Sequence, residues 1–186
     1  MKTRRPPAIA VVGRKNSGKT RVIEILTKEL TKRGYKVAAV KHVPKKDFTI
    51  DTEGRDTWRF ANAGAKIVVA VSPMEIATIE KGDTRGLTLN DVVERCRKSD
   101  LIIVEGFREL LGENLEVPKI VAVKNIDEAL EALKTFKPIM ALAGLGPLNG
   151  AALGFLYINV SENSGKLADL VEGFVRKRGK LGLKTS

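Results

Sequence analysis

The segment from Gly13 to Thr20, with the sequence GRKNSGKT, constrains the fold more than any other part of the chain. It matches the pattern G-x-x-x-x-G-K followed by Ser or Thr at every fixed position. The apolar run Ala8–Val12 stands directly before it, and a helical pattern follows it. In this setting the two glycines let the backbone turn tightly and bring successive amides towards phosphate oxygens. The sequence therefore predicts a loop that holds the phosphates of a purine nucleoside triphosphate at the amino end of a helix.

The residues of this loop have different predicted roles. Lys19 is expected to place its ammonium group on the β- and γ-phosphates, where it would also act in catalysis, and Thr20 is expected to give its hydroxyl to Mg²⁺. Arg14 and Lys15 add positive charge, but the motif fixes neither of them, and a solvated surface role fits both equally well. The predicted nucleotide-binding residues are Gly13, Lys15, Asn16, Ser17, Gly18, Lys19, Thr20 and Arg21.

Apolar runs alternate with segments of helical period along the chain. The runs are Ala8–Val12, Val37–Val40, Ile67–Val71, Leu101–Val104, Ile120–Val123, Ile139–Ala143 and, more weakly, Phe155–Val160. The helical segments are Lys19–Arg33, Leu89–Lys98, Asp127–Leu133 and Ser164–Arg178. Because continuous Val, Ile and Ala runs indicate strands covered on both faces, we predict a three-layer α/β P-loop NTPase fold. Its mostly parallel sheet would have about seven strands, flanked by helices.

Two segments depart from this alternation. Ser72-Pro73 followed by Glu75–Glu80 indicates an extra strand after a turn, and hence an antiparallel edge hairpin. Residues 1–175 are predicted to form a single nucleotide-binding domain, because a chain of 186 residues suits one core. Residues 176–186 are basic and poor in apolar side chains, and we predict that they form a flexible tail.

Charge and cysteine content narrow the classes of function. The chain has 33 basic and 22 acidic residues, and the net charge of +11 indicates attraction to polyanions such as nucleotides, nucleic acids or other phosphorylated ligands. A surface rich in Lys and Glu is also typical of heat-adapted proteins. Cys96 is the only cysteine, which excludes an internal disulfide or a thiolate zinc cluster within one chain. We expect a cytoplasmic protein, since no segment reaches the roughly 18 apolar residues of a membrane span and the amino-terminal run fits a first strand better than a secretory leader.

Acidic side chains near strand ends are candidates for the metal site. Phosphate-bound Mg²⁺ usually takes one or two carboxylates just beyond the carboxyl ends of strands. Glu105 ends a buried run, where a carboxylate is costly unless a cation or hydrogen bonds compensate it. We predict that Glu105 binds metal or positions water, the alternative being an acid that caps a neighbouring helix. Asp51, in the segment after the second strand, is a second candidate, whereas Asp56 can equally be the N-cap of the helix that contains Trp58.

The ordered motifs after the loop resemble those of the molybdopterin-guanine dinucleotide biosynthesis protein B (MobB) family. They are Lys41-His42, Ile50-Asp51, Gly54–Arg59, Ala63-Gly64-Ala65, Val104–Arg108 and Pro118-Lys119-Ile120. The phosphate loop is shared with many NTPases, whereas Gly-Arg-Asp-Thr, Ala-Gly-Ala and Val-Glu-Gly-Phe in this order are far more specific. The resemblance covers residues 9 to about 123, roughly two thirds of the chain.

The resemblance implies a homodimeric, GTP-binding accessory protein with weak GTPase activity. It would assist the guanylyltransferase that converts molybdopterin to its guanine dinucleotide. In the related dethiobiotin synthetase branch, Mg²⁺ is held by the loop threonine, an aspartate after the second strand and a glutamate in Val-Glu-Gly, which here implies Thr20, Asp51 and Glu105. Glu105 thus joins Lys19 as a catalytic candidate. The candidates for contact with substrate or partner are Lys41, His42, Arg55, Asp56 and Arg108.

This chain differs from its relatives in three places, the first of which is Arg14, where many members of the wider branch have a lysine. It has Val43-Pro44-Lys45-Lys46 where family members carry further histidines after Lys-His, so His42 is its only histidine, with either a substrate-contacting or a structural role. It also lacks the guanine-reading motif Asn-Lys-x-Asp. Lys124–Asp127 has similar residues in a different order.

Two other functions remain open from the sequence. The dethiobiotin-like metal set would also suit an ATP-dependent small-molecule kinase or ligase. The charge of +11 would suit a nucleic-acid-binding ATPase, although only 5% of the residues are aromatic, which leaves little for base stacking. The sequence nominates no strong base for an attacking water, so we expect at most slow hydrolysis of GTP.

Overall fold

The computed structural model describes residues 5–107, Leu111, 114–148 and 154–181. The chain divides into two compact units, of which the first takes residues 1–42 and 88–186 and the second takes Val43–Leu87. Within the range 1–175 that was predicted as one domain, residues 43–87 therefore pack as a unit of their own.

The described elements follow the predicted alternation of strands and helices. The strands are β1 (Ala8–Val12), β2 (Val37–Lys41), β3 (Ile67–Val71), β4 (Ile76–Glu80), β5 (Leu101–Glu105), β6 (Lys119–Ala122), β7 (Ile139–Gly144) and β8 (Tyr157–Asn159). The helices are α1 (Lys19–Lys32), α2 (Asp56–Asn62), α3 (Leu89–Arg95), α4 (Ile126–Thr135) and α5 (Ser164–Leu181).

The first unit is built on a parallel sheet. Among its described residues the sheet has six strands in the order β2-β5-β1-β6-β7-β8, and each neighbouring pair is parallel. The predicted α/β fold with a mostly parallel sheet flanked by helices is confirmed. The strands β2 and β5 lie on one side of β1, and the chain then crosses after β5 to β6, β7 and β8 on the other side, so the strand order reverses at β1. In parallel sheets of this kind, ligands bind at such a switch point, beyond the carboxyl ends of the strands.

Helices cover both faces of this sheet, and β1 shows why. Ile9 and Val11 belong to one buried cluster with α1 and α5, and Ala10 and Val12 belong to another with α3 and α4. Because successive side chains of a strand point to opposite faces, a continuous apolar run is required to build both clusters. Burying each Val, Leu or Ile contributes about 1.5–3 kcal/mol to stability. The packing thus holds the end of β1 and the start of α1 rigidly in place.

The second unit contains an antiparallel pair. β3 and β4 pair from Ile67 opposite Glu80 to Val71 opposite Ile76, and the turn is closed by the Ser72 amide, which donates to the Glu75 carbonyl at 2.8 Å. The predicted hairpin is present, but it forms its own two-stranded sheet, and the run Ile67–Val71 belongs to it rather than to the parallel sheet. The reason is the short connection: a tight turn joins antiparallel neighbours, whereas a parallel crossover needs about a dozen residues.

Helix α5 extends into the segment that was predicted to be a flexible tail. It runs to Leu181, past the predicted end at Arg178. Arg176 lies one turn after Glu172, and the two side chains form an ion pair at 2.5 Å, the i to i+4 spacing that supports a helix. The last part of the predicted tail, residues 182–186, lies outside the described residues. None of the described helices is both long enough and apolar enough to cross a membrane.

Candidate functional site

The loop between β1 and α1 has an unusual backbone with three positive φ angles. Gly13, Asn16 and Gly18 have φ angles of 143°, 62° and 89°. A side chain at Gly13 would collide with the carbonyl oxygen of Ala122 at the end of β6, and its Cβ would lie 2.7 Å from Ser17 Oγ. Gly13 is therefore required both by its φ angle and by the close approach of β6. Left-handed residues spaced in this way form the amide-lined concavities that bind anions.

The ammonium group of Lys19 folds back over this loop. Its Nζ donates to the carbonyl oxygens of Gly13 at 3.2 Å and Arg14 at 2.6 Å. Burial lowers the pKa of Lys19, the charge of Glu105 raises it, and the charge of Lys41 lowers it again. Within the part of the chain that the structure describes, Lys19 thus donates its hydrogen bonds to neutral carbonyls. An incoming anion would offer the ammonium group a stronger, charge-assisted partner.

The start of α1 adds unused donors next to the lysine. Gly18 is the N-cap and provides no side-chain hydrogen bond, and the first turn contains no acidic residue. Ser17 is only 2% exposed, and its Oγ has no hydrogen-bond partner within the described parts of the chain. A helix start without a side-chain cap leaves several amides to be satisfied from outside, where its dipole favours an anion. Helix, hydroxyl and ammonium are therefore all suited to a phosphate.

Glu105 lies beside the loop at the end of β5, between β1 and β2. It is in register with Val11 on one side and Lys41 on the other. The Glu105 side chain is 13% exposed, and its Oε1 is 2.6 Å from Lys41 Nζ. The cation that compensates this carboxylate is thus Lys41, and no helix cap by Glu105 is observed in the described residues. A divalent metal could bind the same carboxylate in place of the ammonium group.

The chain turns sharply directly after Glu105. Gly106 and Phe107 both have positive φ angles, of 85° and 51°, and a Cβ on Gly106 would lie 3.1 Å from His42 Cβ. The His42 ring lies 4.7 Å from the Phe107 ring, and the His42 amide donates to the Glu105 carbonyl at 2.9 Å. The structure therefore brings Lys41, His42 and Glu105 together at the carboxyl ends of β2 and β5. Arg108, the other candidate in this motif, lies outside the described residues.

The acidic segment of the second unit is organised around Asp51. Its Oδ1 accepts hydrogen bonds from Thr57 Oγ1 and the Thr52 amide, both at 2.9 Å. Its Oδ2 is buried and has no hydrogen-bond partner among the residues that the structure describes. A buried carboxylate oxygen without a donor is costly and suits a cation. Its membership of a metal set with Thr20 and Glu105 stays a prediction.

Arg55 and Asp56 occupy the start of α2. Arg55 is the N-cap, and Asp56 stands in the first turn, with an Oδ1 that lies 3.7 Å from Arg59 Nη1. The alternative that Asp56 caps this helix is therefore wrong. A first-turn acid still stabilises the helix, because it lies at the positive end of the helix dipole. Contact of Arg55 or Asp56 with a substrate stays a prediction.

Contacts between distant segments complete the surroundings of the loop. Arg14 forms an ion pair with Glu131 of α4, which joins the loop to that helix, and sequence patterns hold no signal for this pair. Asn125 Oδ1 accepts from the Glu128 amide at 2.9 Å, and Glu128 Oε2 accepts from the Lys124 amide at 2.9 Å. The segment that resembles a guanine-reading motif therefore serves as the cap of α4, a pattern that Asn-x-x-Glu in the sequence could have revealed.

A cavity of about 90 Å³ opens beside the loop. Its lining is mostly apolar and includes Val12, Gly13, Lys19, Glu128 and Phe136. Ligand pockets for small organic molecules are usually larger than about 300 Å³. The cavity is thus too small for a nucleotide, and the loop with the start of α1 is the better candidate for binding phosphates.

Comparison with known proteins places the chain in one family. The family model described as molybdopterin guanine dinucleotide synthesis protein B matches residues 8–144. The Escherichia coli molybdopterin-guanine dinucleotide biosynthesis adapter protein is 29% identical over 176 residues, which cover 92% of this chain and 95% of that protein. A relative from Methanocaldococcus jannaschii is 39% identical over 122 residues, or 64% of this chain, and the match spans 48% of that longer protein.

Solved structures give the same result. The crystal structure of molybdopterin-guanine biosynthesis protein B aligns with a TM-score of 0.68 and 26% identity, and the alignment covers 91% of this chain and 99% of that one. Bacillus subtilis MobB aligns with a TM-score of 0.66 and 23% identity over 88% of this chain and 97% of that one, which supports the fold alone.

Proposed function

This chain belongs to the molybdopterin guanine dinucleotide synthesis protein B family, and we propose that it is a GTP-binding adapter of molybdopterin guanine dinucleotide biosynthesis. In this proposal it holds GTP with Mg²⁺ on the loop from Gly13 to Thr20, hydrolyses it slowly, and works as a homodimer. Its partners are molybdopterin or its guanine dinucleotide, and the guanylyltransferase that converts the first into the second. The net charge of +11 favours such phosphorylated ligands.

The proposal rests on the groups that surround the ammonium group of Lys19. Its ammonium group lies against two neutral carbonyls of the loop, beside a buried unpaired hydroxyl and a helix start without a side-chain cap. These donors face no acidic residue in the first turn of α1. Such a concentration of donors is stabilised by a multiply charged anion, and the strand–loop–helix setting fits a triphosphate.

The residues of this chain would work by positioning and by charge neutralisation. Lys19 would exchange its two carbonyl partners for phosphate oxygens, and the loop amides and Ser17 would hold the triphosphate in place. Thr20, Asp51 and Glu105 offer the oxygen ligands that Mg²⁺ prefers, and the metal would neutralise charge on the phosphates. Lys41 would then no longer pair with Glu105 and would remain as a second cation beside the phosphates. Positioning without a strong base is consistent with slow turnover.

Calorimetric titration of the purified protein with GTP and ATP, each with and without Mg²⁺, tests the proposal. We expect GTP to bind with a dissociation constant below about 100 µM, or about −5.5 kcal/mol, and more tightly with Mg²⁺ than without it. Tight ATP binding with phosphate transfer to a metabolite would support the kinase or ligase instead. Salt-dependent DNA affinity would support the nucleic-acid-binding ATPase. A protein that binds neither triphosphate at millimolar concentration would overturn the assignment of the loop.

The homodimer in this proposal is supported by the second unit. On one face of the hairpin, Ile67, Val69 and Val71 are 60%, 54% and 74% exposed, and Ile76 extends the same apolar face. On the other face, Val68 is buried. A two-stranded sheet is marginal alone, and a contiguous exposed apolar face marks an interaction site. A second copy presents the same face and can cover it in an isologous interface.

We expect Val69→Lys to shift the protein from dimer to monomer, because it places a charge at the centre of this face. Sedimentation velocity at micromolar concentration measures the change. Thr84→Lys is the matched control, since it adds the same charge at an exposed position of the same unit outside the hairpin. A Val69→Lys protein that sediments like the wild type would exclude the hairpin face as the interface.

A further inference from the structure

We propose that Leu145 is the floor of the subsite that takes the purine nucleoside of the bound triphosphate. The inference rests on the proposed function and adds to it, since the motif accounts for the phosphates and the metal but for no part of the nucleoside. It is carried by one contact between segments that are distant in the sequence.

Leu145 packs directly on the start of α1. A Cβ built on Gly18 would lie 3.2 Å from Leu145 Cδ1 and 3.5 Å from its Cγ, so the leucine side chain covers the α-carbon of the helix N-cap. Leu145 follows the last residue of β7 and thus lies at the carboxyl ends of the strands, where the loop also lies. The side chain is 44% exposed, and thus it presents an apolar surface to solvent at the border of the phosphate site.

The order of the strands decides which end of the triphosphate points towards Leu145. β1 lies between β5 on one side and β6 followed by β7 on the other. Glu105, the candidate metal ligand, lies on the β5 side together with Lys41. Mg²⁺ binds at the terminal phosphates, and the terminal end of the triphosphate is therefore expected on that side. The nucleoside must therefore leave the loop on the opposite side, past Gly18 and towards β7. Leu145 is the side chain that it meets there.

The backbone around Leu145 is held in place by two hydroxyl groups. The Leu145 carbonyl accepts from Ser161 Oγ at 3.0 Å, and the Gly146 carbonyl accepts from the Tyr157 hydroxyl. Burial raises the pKa of Tyr157, and the charge of Glu162 raises it further, so the phenol keeps the proton that it donates. At Gly144 a Cβ would lie 2.7 Å from the Val123 carbonyl, and the segment therefore approaches its neighbours too closely for a side chain. The apolar surface is thus preorganised.

The chemistry of this surface suits a nucleoside and not a phosphate. An exposed aliphatic side chain offers a purine ring or a ribose an apolar face to lie on, and it has no donor for an anion. Binding would remove the exposed part of Leu145 from water, which is a favourable contribution that inorganic phosphates cannot obtain. The nucleoside part of the ligand should therefore contact Leu145, whereas the phosphates should not.

Titration of Leu145→Ala with GTP and with inorganic tripolyphosphate, both with Mg²⁺, tests this separation. We expect GTP to bind about ten-fold more weakly than to the wild type and tripolyphosphate to bind within about two-fold. Leu145→Met keeps an apolar surface and should retain most of the GTP affinity. Leu130→Ala is the matched control, because Leu130 is 46% exposed on α4 and is expected to leave both affinities unchanged.

The outcomes separate the inference from the proposal on which it rests. Unchanged GTP affinity in Leu145→Ala overturns the inference, and so does an equal loss of affinity for both ligands, which would mean that the substitution distorts the loop. In either case the wild-type protein still binds both ligands, and the proposed function stands. A wild-type protein that binds neither GTP nor tripolyphosphate overturns the proposed function and the inference with it.

Discussion

Replacement of Lys19 by alanine is expected to weaken GTP binding by at least about 100-fold. The ammonium group of Lys19 is the one that lies over the loop, where it contacts the Gly13 and Arg14 carbonyls. Each hydrogen bond from a charged group is worth about 1.5–3 kcal/mol, and the loss of two of them from phosphate oxygens corresponds to a factor of about 100 or more. Calorimetric titration with GTP and Mg²⁺ measures the change.

Lys28→Ala is the matched control for this experiment. Lys28 lies on the same helix and is exposed to solvent, so its removal lowers the net charge equally but should change GTP affinity by less than about two-fold. Circular dichroism of both variants should match that of the wild type, because Lys19 contributes to the loop and not to the buried clusters. Unchanged GTP affinity in Lys19→Ala would show that the triphosphate binds elsewhere.

Local patterns predicted well the two elements that flank the loop from Gly13 to Thr20. Ala8–Val12 and the helix that begins at Lys19 are where the sequence places them, because strand, tight turn and helix start are encoded by neighbouring residues. An isolated carboxylate at the end of a buried strand is costly, so the sequence also predicted that a cation or hydrogen bonds would compensate the charge of Glu105. The compensating group, Lys41, could not be predicted, since it depends on β2 lying next to β5.

Contacts across the sheet could not be predicted for a similar reason. Two contacts join segments that are far apart in the chain. The contact of Leu145 with Gly18 requires the order β1-β6-β7, and the ion pair of Arg14 with Glu131 requires the placement of α4. No periodicity within one element encodes this order. For the run Ile67–Val71 the sequence pattern was misleading. Its continuous apolar side chains resemble those of a buried parallel strand, but a short turn pairs it with β4, and one face of the pair is exposed.

These differences indicate where the sequence is informative about function. The loop glycines are required by the local backbone geometry. A sequence motif can therefore identify them, because each position has one local requirement. The proposed nucleoside floor and the proposed dimer face depend on apolar side chains instead, and such side chains have the same sequence pattern in a strand core and on a binding surface. Predictions for the first kind of residue can be made from sequence, and those for the second kind require the fold.

Gly13→Ala is expected to lower the free energy of unfolding by about 2–4 kcal/mol and to weaken GTP binding by at least about 100-fold. The new methyl group would collide with the Ala122 carbonyl oxygen and crowd Ser17 Oγ, and the φ angle of 143° is itself strained for alanine. Relief of the collision would move the loop away from β6 and disorder its amides. Thermal unfolding should show a midpoint lower by roughly 5–15 °C, and titration with GTP measures the second effect.

Gly34→Ala separates the two causes of this instability. Gly34 has a φ angle of 87°, similarly unfavourable for alanine, but a Cβ at Gly34 would have no neighbour within 4 Å. Its substitution should therefore cost only about 1 kcal/mol of stability and leave GTP binding unchanged. The difference between the two variants measures the contact of the loop with β6. If Gly13→Ala is no less stable than Gly34→Ala and still binds GTP, close packing of the loop against Ala122 is not what shapes the phosphate site.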